Sequence, residues 1–337
     1  MIVDCHMHVF THLNGPGGYD SAETHLGYLK GNHSMVVRRT RDGAVVDHPV
    51  DWARVTDFRA ERLGRYEWML DGEAYYVQQF PPSLQTMESS PAFVIAQMEH
   101  AGVDVAILQH DTMYGRFNEL FAEAMRAYPG RLIGLAKLDE PTATQPESLR
   151  LLERYARELA LPGVFFQQFS FSSGSTVWAD DEFAPYWEAV RRLGLMAYLH
   201  GTTDLRAVHR LVRRYPEIPF MTLLPGGRFA REGGRHLPES VLALGRLPNI
   251  LFEICPISYG FQFEYPYREM HHQIRPLYEE FGGTKFCWGS DMPNLERFCT
   301  YLQGLDFLRR HCEFIGRDDL ALILVGNAAR ALGLERR

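Results

Sequence analysis

The chain has 337 residues, of which 46% are hydrophobic and 23% are charged, as in a globular protein with a large core. Its formal net charge is −7 with both signs interspersed, which argues against nucleic-acid binding, and no apolar run approaches the roughly 20 residues of a membrane span. The 5 cysteines follow no regular spacing, and the first apolar run begins at residue 2, so we expect reduced thiols, no signal peptide and a cytoplasmic location.

The opening stretch MIVDCHMHVF predicts a first strand that ends with His6 and His8. Residues two apart on a strand share a face, so the two imidazoles would lie side by side. Two such imidazoles can hold a divalent cation. They can equally be ordinary hydrogen-bonded polar side chains, and the pair alone leaves both interpretations open.

Residues 11–90 lack the regular pattern of the rest of the chain. We expect helices to begin near residues 52 and 91, and the remainder to be irregular and rich in aromatic residues. Aromatic richness argues against disorder, and loops of this length are usually functional. We therefore expect a lid over the substrate, with Tyr75 and Tyr76 among its contacts. A small aromatic core is the alternative.

Beyond residue 90, short apolar runs alternate with amphipathic stretches. The apolar runs predict strands at 103–109, 131–138, 163–169, 195–200, 219–224, 249–255 and 285–290. The stretches between them predict helices at 117–128, 146–160, 181–193, 204–215, 237–247 and 268–281. Two further helices are expected in ERFCTYLQGLDFLRR and DDLALILVGNAARALGL.

With the opening strand, these runs make eight buried strands separated by helices, which is typical of parallel pairing. The pattern predicts a single (β/α)8 TIM-barrel domain over 1–337, with the 11–90 segment inserted after the first strand and C-terminal helices closing the barrel. An open doubly wound sheet is the alternative, but no GxGxxG turn follows the first strand.

Two further residues end predicted strands at the same rim as His6 and His8. His200 ends the fifth strand, and Asp291 follows the eighth. Catalytic residues of such barrels gather at the carboxyl ends of the strands, so these four side chains predict a site for one Zn, Mn or Fe ion. Taken singly, His200 can be a core histidine, and Asp291 can cap the next helix.

Three more residues are candidates for substrate binding. His110 ends the second strand, Glu253 lies in the seventh, and Arg228 follows the sixth, where its guanidinium can bind a carboxylate. The alternatives are a turn role for His110, an outward-facing Glu253 and a solvated loop charge at Arg228.

HxH on the first strand, His200 after the fifth and GSDMP at the eighth resemble the amidohydrolase superfamily. The similarity is greatest to its amidohydrolase-related branch, which includes aminocarboxymuconate-semialdehyde decarboxylase-like and resorcylate decarboxylase-like enzymes. AGVDVAIL, YPGRLIGLAKLD and ILVGNAARALGL also match that branch. The resemblance implies a metal-dependent barrel enzyme that acts on a small molecule and is often a homodimer.

The sequence departs from this branch at two places. Leu224 stands where the family commonly has a histidine on strand six, which speaks against decarboxylation. Strand four ends in Gln167 and Gln168, which are poor bridging ligands, so we expect one metal ion.

We therefore expect a hydrolase in which Asp291 moves the proton of a water that attacks an amide, ester, lactone or thioester. Non-oxidative decarboxylation of an aromatic or unsaturated acid is the alternative reaction. A non-catalytic binding barrel is the alternative from another functional class.

Overall fold

The computed structural model describes residues 1–31, 36–46, 50–172, 174–201, 204–225, 237–256 and 263–334, apart from the side chain of Phe169. The strands in these ranges are β1 (Val3–Met7), β2 (Arg38–Arg39), β3 (Thr56–Arg59), β4 (Arg65–Leu70), β5 (Glu73–Gln78), β6 (Val105–Leu108), β7 (Leu132–Gly134), β8 (Gly163–Gln167), β9 (Met196–His200), β10 (Phe220–Leu223), β11 (Ile250–Ile254) and β12 (Phe286–Trp288). The helices are α1 (Ala22–Gly31), α2 (Pro91–Ala101), α3 (Asn118–Ala127), α4 (Pro146–Arg157), α5 (Ala184–Arg192), α6 (Leu205–Arg214), α7 (Glu239–Gly245), α8 (His271–Phe281), α9 (Tyr301–Asp306), α10 (Arg317–Ala321) and α11 (Asn327–Ala331).

The parallel strands form two sheets, a 3-stranded one of order β1-β6-β7 and a 5-stranded one of order β12-β11-β10-β9-β8. A parallel bridge joins Ala136, after β7, to Val164 on β8, and another joins Met7 on β1 to Met292, after β12. All these strands run in one direction, so their carboxyl ends meet at one edge. The alternating α/β pattern predicted from the sequence is confirmed.

Burial on both faces explains why the sequence forms these strands. Every residue of β1, β6 and β8 is buried. Continuous apolar runs of this kind are typical of parallel strands covered on both sides by helices. Each parallel strand after residue 90 lies within its predicted range, and so do α3 to α8.

Helices α2 and α6 show how the local sequence sets their ends. The Ser90 side chain accepts a hydrogen bond from the Phe93 amide at the start of α2, which ends at Gly102 with a φ of 73°. The Asp204 carboxylate accepts from the amides of Arg206 and Ala207 at the start of α6. Within the described ranges, no helix is both long enough and apolar enough to cross a membrane.

The segment between β1 and α2 differs from its prediction. No helix begins near residue 52; a turn there leads into β3, and β2 to β5 form a 4-stranded antiparallel sheet of order β2-β5-β4-β3. The predicted helix near residue 52 was therefore wrong, and the sequence analysis did not foresee the antiparallel sheet. In β4, Tyr66 and Trp68 are buried between half-buried neighbours. Strands β4 and β5 join through Asp71 and Gly72, both with positive φ, which is the geometry of a tight hairpin.

Candidate metal centre

Backbone pairing between the ends of β1 and β12 brings the first-strand histidines to Asp291. The amide of Asp291 donates to the carbonyl of His6 at 2.8 Å, and the amide of His8 donates to the carbonyl of Met292 at 2.8 Å. Asp291 has a φ of 61°, a left-handed conformation that Asp adopts more readily than most residues and that is found disproportionately at functional sites. This turn directs its carboxylate to the two imidazoles.

Hydrogen bonds fix the orientation of both imidazoles. His6 Nδ1 lies 2.8 Å from Glu253 Oε1, and His8 Nδ1 lies 3.0 Å from the carbonyl of Gln109. Since both partners are acceptors, each Nδ1 carries a proton, and each Nε2 faces the opening. The two Nε2 atoms are 3.0 Å apart, and Asp291 Oδ1 lies 3.1 Å from that of His8 and 3.9 Å from that of His6.

These separations suit a cation. Two atoms that each bind one ion at about 2.1 Å are at most roughly 4 Å apart, and all three distances fall within that span. Burial lowers the pKa of His6, but the carboxylates of Glu253 and Asp291 outweigh it and raise this pKa to about 9, so the site favours a positive charge at this position, which either a proton or a metal ion can supply. The donor set of two nitrogens and one carboxylate oxygen fits Zn, Mn or Fe.

Glu253 is fully buried and contacts the metal-ligand candidate His6. Its second oxygen accepts a hydrogen bond from the Tyr198 hydroxyl at 2.5 Å. A side chain at position 289 would collide with the same carboxylate, which explains the glycine of the GSD motif. A carboxylate on the far nitrogen of a ligating histidine fixes its ring and raises its basicity. This geometry favours a positioning role for Glu253, which the sequence analysis placed among the substrate contacts.

His200 lies beside this group, outside the set formed by His6, His8 and Asp291, whose ligand atoms are within 4.8 Å of one another. Its ring centroid is 6.4 Å from that of His6, and its Nδ1 is 3.7 Å from Asp111 Oδ2 and 3.4 Å from Gln167 Nε2. Burial lowers the pKa of His200, which favours the neutral imidazole that metals require. Its role as fourth ligand stays a prediction.

The end of the second parallel strand presents a carboxylate to the opening. Both ring nitrogens of His110 contact backbone groups, at 2.9 Å to the carbonyl of Leu135 and 3.3 Å to the amide of Phe117. The next residue, Asp111, reaches the His200 side of the site and accepts a hydrogen bond from Gln167 at 3.0 Å. The geometry therefore favours a structural role for His110.

Tyr75, Tyr76 and Arg228 are the remaining candidates for substrate contact. Tyr75 packs on Trp68 within the antiparallel sheet, and Tyr76 carries the guanidinium of Arg65 on its ring. Arg228 lies outside the described residues. Asn294, which the sequence analysis did not single out, points its amide at Asp291 from 3.4 Å. It stands three residues after Asp291, about one helical turn along the chain. That spacing could have indicated from the sequence that the Asn294 side chain reaches Asp291.

A comparison with protein families matches the model of the amidohydrolase family to residues 3–334. No curated protein matches the chain. Among solved structures, a probable 2-pyrone-4,6-dicarboxylic acid hydrolase from Acinetobacter baumannii has a TM-score of 0.61 at 15% identity, over 98% of this chain and 99% of its own.

Two other similar structures were solved with a metal ion. A dihydroxybenzoic acid decarboxylase from Polaromonas sp. JS666, with bound manganese, has a TM-score of 0.53 at 18% identity, over 72% of this chain and 86% of its own. An amidohydrolase from Burkholderia multivorans, with bound zinc, has a TM-score of 0.58 at 15% identity, over 74% of this chain and 89% of its own. At these identities the likeness is one of fold.

Proposed function

The chain belongs to the amidohydrolase family, and from that premise we propose that it is a metal-dependent hydrolase of a small organic substrate. The observation that carries this proposal is the convergence of His6 Nε2, His8 Nε2 and Asp291 Oδ1, with separations from 3.0 to 3.9 Å, at the carboxyl ends of parallel strands. His200 would complete the ligand set. A Zn, Mn or Fe ion would supply Lewis acidity and lower the pKa of a water molecule.

The proposal includes the architecture around the site. The bridges Ala136–Val164 and Met7–Met292 support closure of the parallel strands into a (β/α)8 barrel. The antiparallel sheet is proposed as the lid: Phe80, which follows β5, contacts Phe10 and Tyr114 next to the histidines. On this proposal the metal ligands would lie in a barrel mouth that the inserted segment covers.

Asp291 would act as the proton shuttle. Burial raises the pKa of Asp291, but its contacts with His6 and His8 and the charge of Arg297 outweigh burial and lower this pKa, so Asp291 is a carboxylate at neutral pH. A carboxylate within reach of the attacking water accepts its proton and returns it to the leaving group. Asn294 Nδ2, 3.4 Å from Asp291 Oδ2, helps to hold the carboxylate in place.

The end of β10 favours hydrolysis over decarboxylation. Leu224 follows this strand, is only 9% exposed and carries no group that could transfer a proton. The fold is shared with both hydrolases and a decarboxylase. Non-oxidative decarboxylation of an aromatic or unsaturated acid is therefore the second candidate, and the experiment must separate the two.

The test is a substrate panel assayed with the metal-loaded protein and with Asp291→Asn. Esters, lactones, amides and thioesters report hydrolysis, and hydroxybenzoates report decarboxylation through carbon dioxide release. We expect hydrolysis of at least one class, and a loss of about 100-fold or more in Asp291→Asn with folding retained. Asp104→Asn, at the opposite ends of the strands beside Ile2, is the matched control with normal turnover. Carbon dioxide release without hydrolysis, or full turnover in Asp291→Asn with metal bound, would overturn the proposal.

A further inference from the structure

Three side chains that the hydrolytic step leaves unused are connected to the candidate metal centre, either directly or through neighbouring residues. The Tyr114 ring lies on His8, with centroids 4.3 Å apart. Tyr66 extends from β4 of the antiparallel sheet to Phe80, which also contacts Tyr114. Arg297 ends the short helical turn that begins at Asn294, and its Nε donates to the Asn294 carbonyl at 3.3 Å. The three reach the site from different parts of the chain.

The two tyrosines have buried hydroxyl groups without a hydrogen-bond partner within the part of the chain that the structure describes. Tyr66 is 0% exposed and Tyr114 is 2% exposed. A buried hydroxyl that lacks a partner is destabilising, so natural proteins hold few of them. These two are linked to each other through Phe80 and to the candidate metal centre through Tyr114, so both could donate to a ligand bound there.

The electrostatics define what that ligand is. A tyrosine hydroxyl ordinarily keeps its proton at neutral pH. Both hydroxyls are therefore protonated at neutral pH and can donate. Arg297 lies close enough to Asp291 and to both tyrosines to interact with them electrostatically. Two O–H donors beside a guanidinium are complementary to an anionic oxygen group.

We propose that Tyr66, Tyr114 and Arg297 form a subsite for a carboxylate of the substrate. Their neighbours Phe10 and Phe80 are apolar and stack with Tyr114 or lie against it, which suits a flat organic acid better than a strongly hydrated phosphate. This inference rests on the proposed function, and it narrows the substrate class to hydrolysable compounds that carry a carboxylate next to the scissile bond. The hydroxyls of the two tyrosines and the guanidinium would bind its oxygens.

The test is direct binding, so it does not depend on turnover. Benzoate and its neutral isostere benzamide are titrated calorimetrically into metal-loaded wild-type protein, Tyr66→Phe, Tyr114→Phe and Arg297→Lys. We expect the wild type to bind benzoate and not benzamide, and each tyrosine variant to bind benzoate about 10- to 100-fold more weakly. Removing a hydroxyl that has no partner should also leave the melting temperature unchanged or raise it.

Tyr215→Phe is the matched control. The Tyr215 hydroxyl is likewise buried without a partner among the described residues, but Tyr215 directly follows α6, a helix that carries none of the subsite residues. It should keep the benzoate affinity of the wild type. Equal binding of benzoate and benzamide, binding of neither, or wild-type affinity in both tyrosine variants would overturn the subsite. Loss of hydrolysis with benzoate binding intact would overturn only the proposed function.

Discussion

Replacing Glu253 by glutamine tests whether this residue prepares His6 for the metal. The carboxylate accepts a hydrogen bond from His6 Nδ1 at 2.8 Å and one from the Tyr198 hydroxyl at 2.5 Å, with no exposure to solvent. Glutamine keeps an acceptor for His6 but removes the negative charge. The imidazole then becomes a less basic ligand, although its orientation is largely kept.

The expected loss of metal affinity can be estimated from other groups that hydrogen-bond ligating histidines. Mutation of a group that hydrogen-bonds a ligating histidine typically costs 10–100-fold in metal affinity, or about 1.4–2.7 kcal/mol. Glu253→Gln should lie near the lower figure and Glu253→Ala near the higher one, because alanine also leaves the Nδ1 proton of His6 unsatisfied. Tyr198→Phe should cost less than either, since it removes only the outer hydrogen bond.

Competition with a chromophoric chelator at fixed pH measures the Zn affinity of each variant. Glu99→Gln, an exposed glutamate on α2, is the control and should bind as the wild type does. Circular dichroism and thermal unfolding confirm that each variant is folded. Wild-type Zn affinity in a folded Glu253→Ala variant would refute this reasoning.

Two further predictions concern stability. Burial, together with the charge of Lys137, lowers the pKa of His110 from 6.5 to about 3. Between these pH values His110 is protonated in the unfolded chain but neutral in the folded protein. The free energy of unfolding therefore falls as the pH falls. Urea titrations from about pH 7 to 5 should show that this group lowers the free energy of unfolding by up to about 1.4 kcal/mol per pH unit. In His110→Gln the free energy of unfolding should depend less steeply on pH. An unchanged pH dependence in this variant would contradict the assignment. Lys137→Met should lower the free energy of unfolding by about 3–5 kcal/mol, because it leaves the buried carboxylate of Glu140 without its ion-pair partner. The double variant Lys137→Met with Glu140→Gln should recover part of that loss in urea unfolding. Full stability of the single variant would contradict the role of the ion pair.

The parallel strands could be predicted because their physical cause is local. A run such as VAIL at Val105–Leu108 is buried along its whole length, and composition alone marks it. The antiparallel sheet was missed although β4 carries a period of two, with Tyr66 and Trp68 buried, and Asp71-Gly72 marks the turn. The sequence analysis expected most of this segment outside its helices to be irregular.

The candidate site, too, could be predicted only in part from the sequence. His6, His8 and Asp291 could be predicted because strand ends of a parallel sheet share one edge. The contact between Glu253 and His6 could not, because it depends on which face of β11 turns inward. Likewise, the sequence does not say which of His110 and Asp111 faces the opening, since the chain leaves its strand at Leu108 and turns.

The central claim is that His6, His8 and Asp291 hold one divalent cation. Elemental analysis of protein purified without chelators tests it most directly, alongside the His8→Ala variant. We predict about one equivalent of Zn, Mn or Fe in the wild type and a large loss of it in the folded variant. A wild-type protein without metal even after addition of these ions, or a His8→Ala variant that retains a full equivalent, would contradict the account.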